Sequence, residues 1–447
     1  MTRLENIFVA IWCIVMPITG TVLIPVVQGT IPAYMMAFLS VILVFNRVQS
    51  GEMPAGVLRY VQTFIGVFLI WLLLMICSQI GLMISGRHDF GWVNMIDMDD
   101  TSVLFRRTMF TQSLYFLACV LIALYFWNFY KPRWRRYIHW GGYFLAGYGI
   151  YEWTYFLIFH QPGDFLVNRA FGEHTASWSQ TIAFGPIALL RIKSTLGEPT
   201  FFAAAVLPYL FFALDDRKVV LSAMLLFTAI FSTSTALFVT LPVVLLLKSF
   251  WSGKIRWDYL FVLGLVALAL GVIALLYPDT FRGLFIDKFN GDNESGAERM
   301  ENAARLNDLF GTFTIPNWIF GIGFGYAYLT IYGDLIVNTG LIGVAVFAWV
   351  FIRPAILLPT TPGYEGLKAG LISILILSAL SLSEFYLPTT WMFLGVIWYY
   401  LTDLKRQRAQ APVAPHGMAA AIGAPNPSFA PGLTERQTGA PDAPGPR

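Results

Sequence analysis

Charge is what this sequence has little of. Asp, Glu, Lys and Arg make up 12% of its 447 residues, about half the share found in a soluble domain. With 57% of the chain hydrophobic, too few polar side chains exist to face water on every side. A conventional soluble enzyme is therefore excluded, and lipid is the main solvent. Cysteine is nearly absent: Cys13, Cys77 and Cys119 are scattered through apolar stretches, which builds neither a disulfide framework nor a metal cluster. The five histidines, His88, His139, His160, His174 and His416, lack metal-ligand spacing. The one Asp-x-Asp pair, Asp97 and Asp99 beside Asp100, reads as a surface acidic run rather than a cation site. Chemistry without metal or cofactor is expected. No internal repeat is visible, which counts against an inverted-repeat transporter. No Ala-x-Ala site follows the first apolar stretch, so it reads as an uncleaved helix rather than a signal peptide. The net charge of +3 says little, and no nucleic-acid partner is expected.

Apolar runs are what the chain has in plenty. A helix needs about 20 residues to cross the hydrocarbon core. On that ruler twelve spans fall near 7–26, 31–46, 60–84, 108–129, 138–159, 200–214, 219–232, 235–249, 257–277, 334–353, 366–382 and 387–402. The expected fold is thus an all-α polytopic membrane protein of about 12 transmembrane helices. Alternate loops are basic, with Arg47 and Arg59, then Lys131, Arg133, Arg135 and Arg136, then Arg217 and Lys218, then Lys254 and Arg256, then Lys368. Lys405, Arg406 and Arg408 follow the last span. The positive-inside rule then places both termini in the cytoplasm. Residues 1–402 form the membrane domain. The Pro-, Ala- and Gly-rich stretch within 403–447 reads as a disordered cytoplasmic tail.

Two long segments, 160–199 and 278–333, fall on the outer side, where long loops are usually functional. They concentrate cations: Arg169, Arg191, Lys193, Arg282, Lys288, Arg299 and Arg305. A guanidinium binds two oxygens at once and stays charged, so arginines at a membrane surface suit phosphate or pyrophosphate. The alternative is solvated loop charge, with local pairs such as Glu301–Arg305 at helical spacing. Arg191 and Arg305 stand out because each lies in dense motif context beside a span. Glu198 precedes Pro199 at a helix start. It reads equally as a favourable helix-start carboxylate or as a general base that also orients Arg191. Gly321-Ile-Gly323-Phe-Gly325 lacks the strand–helix context of a dinucleotide fingerprint. Close backbone packing, or a re-entrant turn lining a lipid-phosphate site, fits it better. Glu298 to Phe310 reads as a short amphipathic helix, and Gln180 to Lys193 as β-prone or loop. His160 and His174 lie in the first long segment, and Glu384 at the turn before the last span.

Three of these elements, in this order, resemble the superfamily of Wzy-type polysaccharide polymerases and O-antigen ligases. Arg191-x6-Glu198-Pro199-Thr200-x-Phe-Ala resembles its first-loop element. Arg305 followed by the Gly321-to-Gly325 run resembles its second. Asn338-Thr-Gly-Leu-Ile-Gly343 resembles the Gly-Leu-x-Gly start of its next helix. The match covers about residues 165–350. Its ligases carry a histidine shortly before that last element, whereas here Tyr332 to Asn338 holds none. The resemblance therefore implies a polymerase of capsule, exopolysaccharide or O-antigen, with a GT-C-like fold, in a bacterial inner membrane. It implies an undecaprenyl-pyrophosphate-linked oligosaccharide as substrate, and a chain-length regulator and export machinery as partners. Arg191 and Arg305 would clamp the pyrophosphate, helped by Lys193, Arg299 and Arg169. Glu198 would accept the proton of the acceptor hydroxyl, and Gly321, Gly323 and Gly325 would line the lipid-phosphate site. A ligase onto lipid A or protein, and a polysaccharide transporter or flippase, are the alternatives.

Overall fold

Apolar runs with their backbone groups satisfied internally become helices, and helices dominate the computed structural model of this chain. It describes residues 2–25, 27–49, 55–86, 90, 95–170, 179–184, 187–252, 257–292, 294–380 and 385–410. In order these form α1 (Thr2–Val15), α2 (Pro32–Gln49), α3 (Ala55–Ser85), α4 (Arg107–Phe129) and α5 (Arg135–Phe159). A hairpin of β1 (Thr181–Phe184) and β2 (Ile187–Leu190) follows, then α6 (Pro199–Asp215), α7 (Val219–Phe231), α8 (Thr235–Ser252) and α9 (Trp257–Leu276). Four short or amphipathic helices come next: α10 (Pro278–Phe281), α11 (Asp287–Asn290), α12 (Glu294–Gly311) and α13 (Ile315–Phe320). The chain then runs through α14 (Ile331–Phe347), α15 (Arg353–Leu357), α16 (Glu365–Leu380) and α17 (Pro388–Gln410). Five stretches among the described residues are long and apolar enough to cross a membrane: α2, α3, α4, the main part of α9, and the run from Ile331 to Leu357. The helices α6, α7 and α8 are shorter but equally apolar. Met1–Asp403 is one compact unit; Leu404–Arg447 is a second, described only by the end of α17.

At the centre lies α6, in which every residue from Phe201 to Ala213 is buried. A helix apolar all round belongs inside a bundle. Its closest partner is α16, whose glycines allow near contact of the two backbones. A Cβ on Gly366 would lie 2.5 Å from the Phe211 carbonyl oxygen, and one on Gly370 would lie 3.1 Å from Pro208 Cα. Small residues four apart permit this approach in membrane helices. A second, smaller apolar cluster joins Met75 and Leu82 of α3, Met109 of α4, Leu309 of α12 and Ile322, Tyr326 and Val337.

The expected span near 7–26 is not continuous helix. α1 stops at Val15, because Pro17 cannot donate to the helix ladder. Residues 16–31 instead knit onto the segment after α5. Gly20 N–H donates to the Thr195 carbonyl at 2.8 Å, and the Gly20 carbonyl accepts Asn168 N and Arg169 N, each at 3.0 Å. The Asn168 side chain accepts Val22 N–H at 2.7 Å. The β-prone stretch is the antiparallel hairpin, with Thr181 opposite Leu190, so the fold is mostly rather than purely helical. Glu298 to Phe310 lies inside α12, and the last helix runs past 402 to Gln410. Glu384, His88, His174, His416, Lys254, Arg256, the Arg299 side chain and the tail from 411 lie outside the described residues.

Candidate functional site

Between the hairpin and α6 runs a strap, residues 191–198, that is not regular helix although Ile192 to Leu196 are almost wholly buried. Its two half-buried ends are Arg191 and Glu198. Buried backbone outside helices needs other partners, and the strap finds them on three sides. Arg191 N–H donates to the Gln180 carbonyl at 2.9 Å, and Ile192 N–H to the Phe231 carbonyl at 3.1 Å. The Thr195 hydroxyl donates to the Pro17 carbonyl at 3.0 Å.

The Arg191 guanidinium is fixed by the turn between α7 and α8. Its Nε donates to Thr233 Oγ1 at 3.0 Å and to the Ser232 carbonyl at 3.3 Å. Its Nη2 donates to the Thr233 carbonyl at 3.3 Å, and its Nη1 to Gln180 Oε1. Thr233 adopts φ 48°, a left-handed conformation that bends this turn toward the arginine's donors. An arginine has five N–H donors. Among the described residues three are engaged, which leaves one N–H on each of Nη1 and Nη2 for an oxyanion to meet. Burial pushes this guanidinium down to about 10, and the negative charge of Glu198 opposes that shift. Arg191 is thus a cation at neutral pH in a partly dehydrated place. Glu198 is the residue before α6, with Pro199 at the helix start, and its side chain makes no capping bond to the helix. Arg191 and Glu198 thus stand at the two ends of one strap, and the charge of Glu198 favours the charged guanidinium.

Lys193 is placed differently from the expectation. It is 0% exposed, and its ammonium sits 3.0 Å from Asp164 and 3.3 Å from Glu152. A cation enclosed by two carboxylates is committed to them, so Lys193 anchors the strap rather than reaching a ligand. Arg169 is half-buried and lies against the irregular segment after α1, with Nη1 donating to the Thr19 carbonyl at 3.3 Å. Glu152, also 0% exposed, went unremarked in the sequence. Its signal was there: a carboxylate in the middle of an apolar helix is costly and seldom incidental.

Arg305 lies on the amphipathic α12. Its side chain is 34% exposed and pairs with Glu301 one turn earlier at 2.5 Å, the spacing and order expected of a helical ion pair. The neighbouring Leu306, Leu309 and Phe310 anchor α12 in the smaller apolar cluster, which also holds Ile322 and Tyr326 of the glycine run. The apolar face of α12 and the glycine run therefore share one cluster, with Arg305 on the partly exposed flank of that helix. Arg191 and Glu198 flank Ile192 and Leu196, which pack in the main core.

The glycine run serves close packing. Gly321, Gly323 and Gly325 have φ of 74°, 148° and 71°, where a side chain is strained. A Cβ on Gly321 would lie 2.5 Å from backbone atoms of Asn338 and Thr339, and one on Gly325 would lie 2.6 Å from Gln112 Cβ. The run lies against a kink in α14 at Gly340, φ 63°. Asn338 clamps it: its Oδ1 accepts Tyr326 N–H at 3.2 Å and Ala327 N–H at 2.8 Å, and its Nδ2 donates to the Ala327 carbonyl at 3.0 Å. Ile322 N–H donates to the Val337 carbonyl at 2.8 Å. From the other side the Tyr326 hydroxyl donates to Gln79 Oε1 at 2.9 Å and accepts Arg106 N–H at 3.2 Å. Met95 pairs with Ala327 in an isolated bridge, tying in the acidic loop. That loop caps itself: Asp100, held low at about 2 by its Ser102 and Arg107 hydrogen bonds, is engaged within its own turn.

Among the described residues, no group of three or more His, Cys, Asp or Glu side chains is arranged to hold a metal ion. No protein-family model matches the chain, and no curated protein or solved structure matches it either.

Proposed function

We propose that this chain is a membrane glycosyltransferase that takes its glycan from a polyprenyl-pyrophosphate carrier. Within that class it is a polysaccharide polymerase of the Wzy type, joining undecaprenyl-pyrophosphate-linked repeat units. The observation that carries this is Arg191: a half-buried cation held by four acceptors, its charge favoured by Glu198, with one N–H on each terminal nitrogen not engaged by the described residues. Such a fork suits the two oxygens of a phosphate. In the reaction, the acceptor hydroxyl gives its proton to Glu198 as its oxygen forms a bond to the anomeric carbon of the donor glycan. The bond from that carbon to the pyrophosphate oxygen breaks, and the lipid pyrophosphate leaves with the electron pair. Charge developing on the leaving oxygen is stabilised by donors already in place. Arg305 supplies the second cation of the clamp, from a helix anchored beside the glycine run. Arg299 and Arg169 assist. No nucleotide sugar takes part.

The membrane domain crosses a bacterial inner membrane twelve times, the first crossing being the short α1 alone, with both termini cytoplasmic and residues 160–199 and 278–333 in the periplasm. The apolar helices and the alternation of basic loops support that topology. Lack of a histidine between Tyr332 and Asn338 favours polymerase over ligase. Asp334 and Asn338, the polar side chains of that stretch, are used to accept the amides of Leu329, Tyr326 and Ala327. The test is extension of lipid-linked repeat units by the purified protein with no separate acceptor. Transfer only to an added lipid A or protein acceptor would make it a ligase.

A further inference from the structure

Glu152 sits on α5, two-thirds of the way along the helix, and no part of it meets solvent. Its Oε2 accepts the Ser194 amide at 2.9 Å, and its Oε1 lies 3.3 Å from the Lys193 ammonium. One carboxylate therefore grips two successive residues in the middle of the strap that carries Arg191 at one end and Glu198 at the other. Ser194 is the strap's left-handed residue. Its φ is 54°, a left-handed value that a non-glycine residue seldom holds without outside support. The Ser194 hydroxyl is fixed in turn by the Leu145 carbonyl at 2.7 Å, two turns earlier on α5. The helix surface is cut to receive the strap: at Gly149 a Cβ would lie 2.9 Å from Ile192 Cγ2. On the far side Asp164 holds the same lysine at 3.0 Å. A charged group inside an apolar bundle is costly unless it does something that a neutral residue cannot. Here the charge is needed to hold Lys193, while the second oxygen holds the bend.

We propose that Glu152 is a positioning residue: it sets the course of residues 191–198, and through them the placing of Arg191 relative to Glu198. Being enclosed, it touches no substrate. The consequence for turnover rests on the reading of Arg191 and Glu198 as the reacting pair; the consequence for the strap does not.

The full-length protein, purified and reconstituted in lipid, is compared as wild type, Glu152→Gln and the double variant Glu152→Gln with Lys193→Met. Glutamine keeps the shape and an acceptor for the Ser194 amide but takes from Lys193 one of its two counter-charges, leaving Asp164. Losing one of two buried counter-charges loosens the hold on Lys193, whereas replacing Glu152 and Lys193 together removes the fully enclosed pair and leaves only the partly exposed Asp164. Amide hydrogen exchange of the peptide covering residues 191–198 should rise about tenfold in Glu152→Gln and return toward wild type in the double variant. Peptides from α6 and α16 should not change. In the polymer assay, turnover at saturating donor should fall about tenfold or more with little change in KM, since displacement of a reacting group costs rate at that order. Uniform faster exchange across all helices would mean that Glu152 merely supports the bundle, and would overturn the proposal. Unchanged exchange at 191–198 would also overturn it. Should Glu152→Gln be too poorly folded to purify, Asp164→Asn tests the same anchor from its other side, with the same strap-confined exchange expected. If the strap loosens as stated but wild type makes no polymer, the functional reading fails and the positioning role stands.

Discussion

Asn338→Ala should loosen the Tyr326–Ala327 end of the glycine run from α14. The wild-type amide accepts two backbone N–H groups, of Tyr326 at 3.2 Å and Ala327 at 2.8 Å, and donates to the Ala327 carbonyl at 3.0 Å. Tyr326 is 0% and Ala327 1% exposed, so water cannot readily replace what is lost. A buried donor left without an acceptor costs about 1–3 kcal/mol. Two such donors, partly relaxed, put the local loss at about 3 kcal/mol, or about a hundredfold in an opening equilibrium. The loss should stay local, because the run is also held by Tyr326 to Gln79 and by Ile322 to Val337. Hydrogen exchange of the peptide spanning residues 322–330 should therefore quicken by about two orders of magnitude, while peptides from α6 keep their protection. A change below about threefold in a folded Asn338→Ala protein would show that the glycine run is held by something other than this amide.

Two further outcomes follow from the same geometry. In a background without Cys13, Cys77 and Cys119, cysteines at Gln161 and Glu301 should react with an impermeant thiol reagent in intact spheroplasts, and one at Lys405 only after permeabilisation; the opposite pattern would remove both the topology and the external site. Arg191→Ala and Arg305→Ala should each abolish long polymer at normal membrane levels, and Arg191→Lys should restore little, because an ammonium cannot span the Thr233 and Gln180 acceptors and still present two parallel donors; near-normal polymer from either alanine variant would exclude that residue from the clamp.

Most of the helical order is legible in the sequence, because long apolar runs in lipid have few alternatives to helix. Where the reading went astray, the cause is tertiary. The expected span 7–26 is an apolar run, yet Pro17 and hydrogen bonds to Thr195 and Asn168 turn its second half into irregular packing. Those partners lie more than 140 residues away in sequence, beyond any local pattern. That Arg191 and Glu198 end one strap is visible in their shared motif. The engagement of Arg191 by Ser232 and Thr233 of another turn is not. Lys193 shows the limit most plainly. By position it is one more outer-loop cation; in the fold it is enclosed by Glu152 and Asp164, which no spacing rule brings together. The glycine run reads both as packing and as a ligand turn. The carbonyl and amide atoms of Asn338 and Thr339, 2.5 Å from a would-be Cβ on Gly321, decide for packing.

The most direct measurement is polymerisation by the purified protein. Reconstituted in liposomes with an undecaprenyl-pyrophosphate-linked repeat unit alone, without nucleotide sugar or other acceptor, the wild-type chain should produce a ladder of lipid-linked multimers and release undecaprenyl pyrophosphate in step with each bond formed. Arg191→Ala, carried through the same purification, should yield neither. A wild-type protein that leaves the repeat unit unextended, and acts only once a lipid A, a protein acceptor or a nucleotide sugar is added, would contradict the assignment.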